Sequence, residues 1–171
     1  MVYLIKTDPN GNEEWSKTFG GSSTSWGHSV QQTTDGGYII IGNRYYGFFN
    51  GMEIWLIKTD SQGNMEWEEY WSGTTNDYGY SIQQSTDGGF IITGSKGGGT
   101  TSLWLIKTDS QGNEEWNKTF GGSEDDEGFS VQQTTDGGYI ITGWTESSGN
   151  GSGDVWLIKT DSEGNTVGYG D

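Results

Sequence analysis

The chain has no cysteine and only one proline, Pro9. Without thiols there is no disulfide framework, no thiol nucleophile and no cysteine-based zinc site. Basic residues are scarce: eight Lys and Arg stand against 24 Asp and Glu, for a net charge of −16. Phosphate binding needs clustered Lys and Arg, so nucleic acid is not an expected partner. Apolar runs are short, far below the ~20 residues that cross a membrane as a helix, so no membrane insertion is expected. The opening residues Met1 to Ile5 read as a strand rather than a secretory leader. No stretch carries a helical period.

Glycine and aromatic rings fill the space that aliphatic residues leave. There are 31 glycines and nine tryptophans, while hydrophobic residues make up only 29%. Low hydrophobicity with high charge would suit a disordered chain, but the rings recur at fixed places. Short strands joined by glycine turns fit this composition.

The recurrence is an internal repeat of about fifty residues. Leu-Ile-Lys-Thr-Asp occurs four times, with its acid at Asp8, Asp60, Asp109 and Asp161. Gln-Gln-(Thr/Ser)-Thr-Asp-Gly-Gly occurs three times, beginning at Gln31, Gln83 and Gln132. Each unit holds four strand signals. Ser29 to Thr33 leads through Asp35-Gly36-Gly37 to Tyr38 to Gly42; after a variable loop come Trp55 to Thr59, the turn Asp60 to Asn64, and Met65 to Trp71. Asp-Gly-Gly predicts a tight hairpin with positive φ angles and a bulge. Four short antiparallel strands per unit predict an all-β chain of β-propeller blades.

One phrase carries a more specific resemblance. Ile57-Lys58-Thr59-Asp60-Ser61-Gln62-Gly63-Asn64-Met65-Glu66-Trp67 resembles the Asp-turn-Gly-Trp phrase of quinoprotein-type propellers and, loosely, the Asp-box hairpin of sialidase-like propellers. The whole chain is similar to repeat propellers of bacterial and archaeal secreted and surface proteins. That resemblance implies an extracellular or cell-surface location. It also implies that Trp15, Trp67 and Trp116 dock the outermost strand of one blade against the next. It transfers no quinone-binding residue, and no cofactor is expected.

For chemistry the chain offers little, and no catalytic residues are assigned. His28, the only histidine, takes the place of Tyr80 and Phe129 in the other units, so it reads as an aromatic substitute; with no nucleophile recurring beside it, an enzyme is not expected. The turn acids, among them Asp35, Asp87 and Asp136, read as hairpin braces. Lys6, Lys58, Lys107 and Lys159 read as solvated or paired. The run Glu124, Asp125, Asp126 and Glu127 is the candidate cation site, because calcium takes several carboxylates on a short loop. The candidate ligand surface is aromatic: Trp26, Tyr45, Tyr46, Phe48, Phe49, Tyr78 and Trp144, read as loop residues. They suit a sugar platform, a protein partner or an oligomer seam.

The units divide the chain, taken as one repeat array over 1–171, into a partial blade at 2–20, blades at 28–71 and 79–120, and a partial blade at 129–165. Strands are then expected in groups of two, four, four and three. A propeller ring typically holds about four to eight blades, so about three must be completed. Self-association is the expected route, as a dimer by symmetry or as a trimer; the alternative is a piece of a longer propeller. The function expected is a non-enzymatic scaffold or binding module that closes its ring by self-assembly. The alternative is a lectin-like carbohydrate binder, and a channel enzyme comes last.

Overall fold

A computed structural model describes residues 1–45, 47, 51–73, 75–150 and 152–166. The described residues form thirteen strands and no helix: β1 (Val2–Thr7), β2 (Glu13–Phe19), β3 (Ser25–Gln32), β4 (Tyr38–Tyr45), β5 (Met52–Thr59), β6 (Met65–Trp71), β7 (Tyr78–Gln84), β8 (Phe90–Lys96), β9 (Ser102–Thr108), β10 (Glu114–Phe120), β11 (Asp126–Gln133), β12 (Tyr139–Thr145) and β13 (Asp154–Thr160). They pair antiparallel, in chain order, into four small sheets: β1–β2, β3–β6, β7–β10 and β11–β13. The sheets are not closed.

Strand periodicity explains how the sheets meet. Successive side chains point to opposite faces, so on β5 Ile54 and Leu56 face one neighbour while Trp55 and Ile57 face the other. Ile54 and Leu56 join Ile39 and Ile41 against Ile82, Phe90, Ile92, Trp104 and Ile106 of the following sheet. Trp55 and Ile57 join Ile40 against Val2 and Phe19 of the preceding one. A third core sets Ile91, Leu103 and Leu105 against Val131, Tyr139, Ile141 and Ile158. Three apolar layers therefore alternate with four sheets. Each fully buried Leu or Ile contributes about 1.5–3 kcal/mol.

Every residue of β5 is buried, because its sheet has neighbours on both faces. The end sheets have one each. Val155 and Leu157 of β13 are 90% and 56% exposed, and Tyr3 and Ile5 of β1 are 58% and 48% exposed.

The first strand of each repeat departs from expectation. It starts before Ser29, at Ser25, and its counterparts start at Tyr78 and Asp126. Trp26, Tyr78, Asp126 and Glu127 are thus strand residues rather than loop residues. The register of β3 shifts between Gly27 and Ser29 on β4, and β7 and β11 shift likewise at Gly79/Ser81 and Gly128/Ser130. His28, Tyr80 and Phe129 are the extra residues of these bulges. Beside the bulge the two strands approach closely: Gly27 pairs with Gly42, and a Cβ on Gly42 would strike the Trp26 carbonyl.

The Asp-Gly-Gly hairpin also differs in detail. Gly36 alone takes a left-handed φ, at 86°, and its N–H donates to Thr33 O at 2.9 Å. Gly37 is required by space instead, because a Cβ there would collide with Thr59 O.

Candidate functional site

Two kinds of turn brace each repeat. At Asp60 one carboxylate oxygen accepts the N–H groups of Gln62 and Asn64 at 2.9 and 2.8 Å, while the other accepts the Asn64 side chain at 2.8 Å. Asp8, Asp109 and Asp161 receive the same set. Hydrogen bonds from the asparagine four residues on hold these carboxyls below the ordinary aspartate value. At the other hairpin Asp35 accepts Gly37 N–H at 2.9 Å and the Thr33 hydroxyl at 2.5 Å.

The third-strand lysines are not solvated. Lys58 is buried and its ammonium lies 2.8 Å from Asp35, 2.9 Å from Glu66 and 2.9 Å from Thr59 O. Lys107 is held the same way by Asp87, Glu115 and Thr108 O. Lys159 keeps Asp136 and Thr160 O, and Lys6 pairs with Glu14. Burial alone would lower the Lys58 and Lys107 pKa values; the flanking carboxylates outweigh it and raise them. In return the Asp35 carboxyl is held down to about 2, chiefly by its bond to Lys58. At Asp87 burial pushes up, but Lys107 and Ser85 bring the value to about 2. Of the two readings of these lysines, solvated or paired, the structure shows pairing, with carboxylates that come from other strands and turns.

Contacts between sheets repeat as well. Trp15 lies 5.6 Å from Tyr38, Trp67 lies 6.0 Å from Phe90 and Trp116 lies 5.9 Å from Tyr139, ring centre to ring centre, each pair spanning two sheets. Each indole also covers a turn glycine of the following sheet, Gly63, Gly112 or Gly164, where a Cβ would meet the ring. The three indoles are half-buried. The doubled glutamine forms a second link. Gln31 Oε1 accepts Gln84 N–H at 2.6 Å, and Gln84 Oε1 accepts Thr34 N–H at 2.9 Å in return. Gln83, Gln133 and Thr86 repeat the exchange one sheet on. Gln-Gln repeats in every unit, but a partner fifty residues away is invisible to strand patterning.

The acidic run does not assemble as a cation site: among the described residues no three Asp, Glu or His gather to hold a metal ion. Its side chains are spent separately. Asp125 accepts Thr101 N–H at 2.6 Å and the Thr101 hydroxyl at 3.0 Å. Asp126 is fully buried and accepts Gly122 N–H at 3.0 Å and the Ser147 hydroxyl at 2.6 Å, with Thr145 as a further donor. Burial pushes Asp126 up, but Ser147, Thr145 and Gly122 together bring it below its ordinary value. Glu124 stays exposed, and burial raises Glu127.

Of the candidate ligand rings, the structure brings Trp26 and Tyr78 together. With His28 and Tyr80 they line a cleft of about 310 Å³ between β3 and β7. Tyr78 and Tyr80 stack, with centres 6.2 Å apart and planes 2° apart. His28 and Phe129 meet Tyr80 edge-on at 5.6 and 5.5 Å. The Glu127 carboxylate interacts with the Tyr80 hydroxyl. Tyr45 and Trp144 are strand residues rather than loop residues, Tyr45 exposed at the end of β4 and Trp144 on β12 packed over Gly153; neither joins the cleft. Tyr46, Phe48 and Phe49 lie outside the described residues. Sequence pattern did not mark Tyr80 and Phe129 as surface rings. Their alignment with the lone histidine was the available signal.

No protein-family model matches the chain, and no curated protein matches it.

Proposed function

We propose that the chain is a non-enzymatic β-propeller scaffold, its sheets being blades, that serves as a binding module and completes its ring by self-association. The observation that carries this reading is the identity of successive sheet contacts. Each four-stranded sheet offers the following one the same indole, the same glutamine oxygen and the same Ile/Leu face. The first strands β3, β7 and β11 pack in series, as strands nearest a common axis would. The resemblance to quinoprotein-like and Asp-box-like repeats agrees with that arrangement.

The bare ends of the stack correspond to its internal faces. Val155 and Leu157 occupy the positions of Ile54 and Leu56, which the next sheet covers; Tyr3 and Ile5 occupy those of Trp55 and Ile57, which the preceding sheet covers. A second copy joined head to tail covers both. Each copy carries −16, so association is opposed at low ionic strength and assisted by screening. Light scattering across a salt series tests this. A two-copy mass that strengthens from low to moderate salt is the expected result; a single-copy mass throughout overturns self-association.

A further inference from the structure

A binding module needs a ligand, and a ligand site on this chain rests on its proposed role as such a module. Three observations converge on the cleft between β3 and β7.

The first is the bulges. An extra residue in a strand re-aims its side chain, and here the re-aimed residues are His28, Tyr80 and Phe129. The second is where near-identical repeats diverge. Around the invariant glycine and Ser-(Val/Ile)-Gln-Gln, the residues before and after the glycine read Trp26 and His28, Tyr78 and Tyr80, then Glu127 and Phe129. The flanking Ser-(Val/Ile)-Gln-Gln and the Asp-Gly-Gly turn stay nearly constant while these six change, and five of the six are rings. Packing alone does not require that variation, because Trp26 and Phe129 are each 49% exposed.

The third is chemistry. A cluster of rings with centres about 5.5–6.2 Å apart, parallel at Tyr78–Tyr80 and edge-on where His28 and Phe129 meet Tyr80, presents apolar surface, while the His28 imidazole, the phenol hydroxyls and the Glu127 carboxylate supply hydrogen-bonding groups beside it. The chain's strong negative charge disfavours phosphorylated, sulfated or other anionic ligands. The cleft, at about 310 Å³, is at the small end of ligand sites, ~300–1,000 Å³. That leaves room for a sugar ring or two and not for a large cofactor.

We propose that this cleft binds a neutral saccharide, with a sugar ring flat against Trp26 and the Tyr78–Tyr80 stack and its hydroxyls bonded to His28, Tyr80 and Glu127. The aromatic rings provide affinity and the hydrogen-bonding groups provide orientation. Phe129, beyond Tyr80, extends the platform toward β11 for a further sugar unit.

Isothermal titration calorimetry on the full chain, with cellohexaose, chitohexaose and mannohexaose as probes, tests the site. Decaproline, a peptide that also packs flat on rings, serves as the counter-probe. At least one oligosaccharide binds with a Kd on the order of millimolar or tighter. Trp26→Ala weakens it about tenfold or more, and Tyr80→Phe weakens it without removing the ring. Trp144→Ala leaves it unchanged, and circular dichroism melts show that each variant is folded. The site is overturned if none of the three sugars binds, if only decaproline binds, or if binding survives both cleft substitutions. Light scattering on the same samples separates the two readings. A single-copy mass with cleft-dependent sugar binding removes self-association and keeps the site, whereas a two-copy mass without sugar binding removes the site alone.

Discussion

Strands β9 and β13 are nearly the same sequence in different surroundings. Leu103-Trp104-Leu105-Ile106-Lys107-Thr108 and Val155-Trp156-Leu157-Ile158-Lys159-Thr160 pair with their own sheets in matching register. Yet Leu103 and Leu105 are fully buried, while Val155 and Leu157 lie open. The alternating pattern determines which face a side chain takes. Whether that face is covered depends on the next sheet. Short-range chemistry ignores the difference: Lys107 and Lys159 both reach the turn aspartate of the neighbouring hairpin and the carbonyl one residue on. In a stack of repeats, each unit makes its own lysine and hairpin contacts and borrows apolar burial from its neighbours.

Truncating the buried and bare leucines should expose that contrast most strongly. Leu105→Ala should cost about 2–5 kcal/mol, the range for emptying a packed core position. Leu157→Ala should change the stability of a single chain by less than about 0.5 kcal/mol. Urea unfolding gives both values. Equal losses would erase the distinction between inner and end sheets. Leu157→Arg sharpens it: if a second copy covers β13, this change should return the assembly to single-copy mass while each chain stays folded.

The lysines offer a smaller contrast. Lys107 joins two carboxylates, whereas Lys159 has one among the described residues. Asp87 and Glu115 are about half exposed, with side chains at 58% and 48%, so water screens what a fully buried pair would feel. Lys107→Met should therefore cost about 1–2 kcal/mol, below the range for breaking a fully buried pair. Lys159→Met should cost less. Denaturant melts that rank the two variants the other way would mean that the second carboxylate contributes nothing.

Local pattern made the thirteen strands and their grouping legible, because Asp-Gly-Gly and Asp-x-x-Gly-Asn turns recur between alternating runs. It did not reveal three features that depend on another part of the chain. Gln31 finds its partner at Gln84, in the next repeat. Lys58 meets Asp35 across two strands. Trp26 and Tyr78, read as loop residues, lie on strands because a bulge at the residue after Gly27 or Gly79 extends pairing backward. Asp126 looked like a cation ligand by its neighbours in sequence. Burial and three donors make it a loop anchor instead.

The smallest effect per group is acid sensitivity, and here the inner and end sheets should agree. Asp35 and Asp87 are held at about 2, and Asp136 in the end sheet is also lowered, by Thr134 and then Lys159. The unfolded value is about 3.9. A carboxyl whose folded pKa lies below its unfolded one stabilises the fold fully above the unfolded value, and that contribution fades as pH falls through the folded value. Melting temperature should therefore drop between about pH 4 and 2. Glu127, raised mainly by burial, acts in the opposite sense and offsets part of the loss. Asp87→Asn should lower stability at neutral pH and flatten the acid limb, and Asp136→Asn should do the same in the end sheet, because both lysine contacts form without help from a neighbouring sheet. Thermal melts from pH 6 to pH 2 measure this. A melting temperature that is flat across that range would show that the aspartate–lysine contacts contribute little. An acid limb flattened by Asp87→Asn and not by Asp136→Asn would show that even the hairpin contacts depend on which sheets lie beside them.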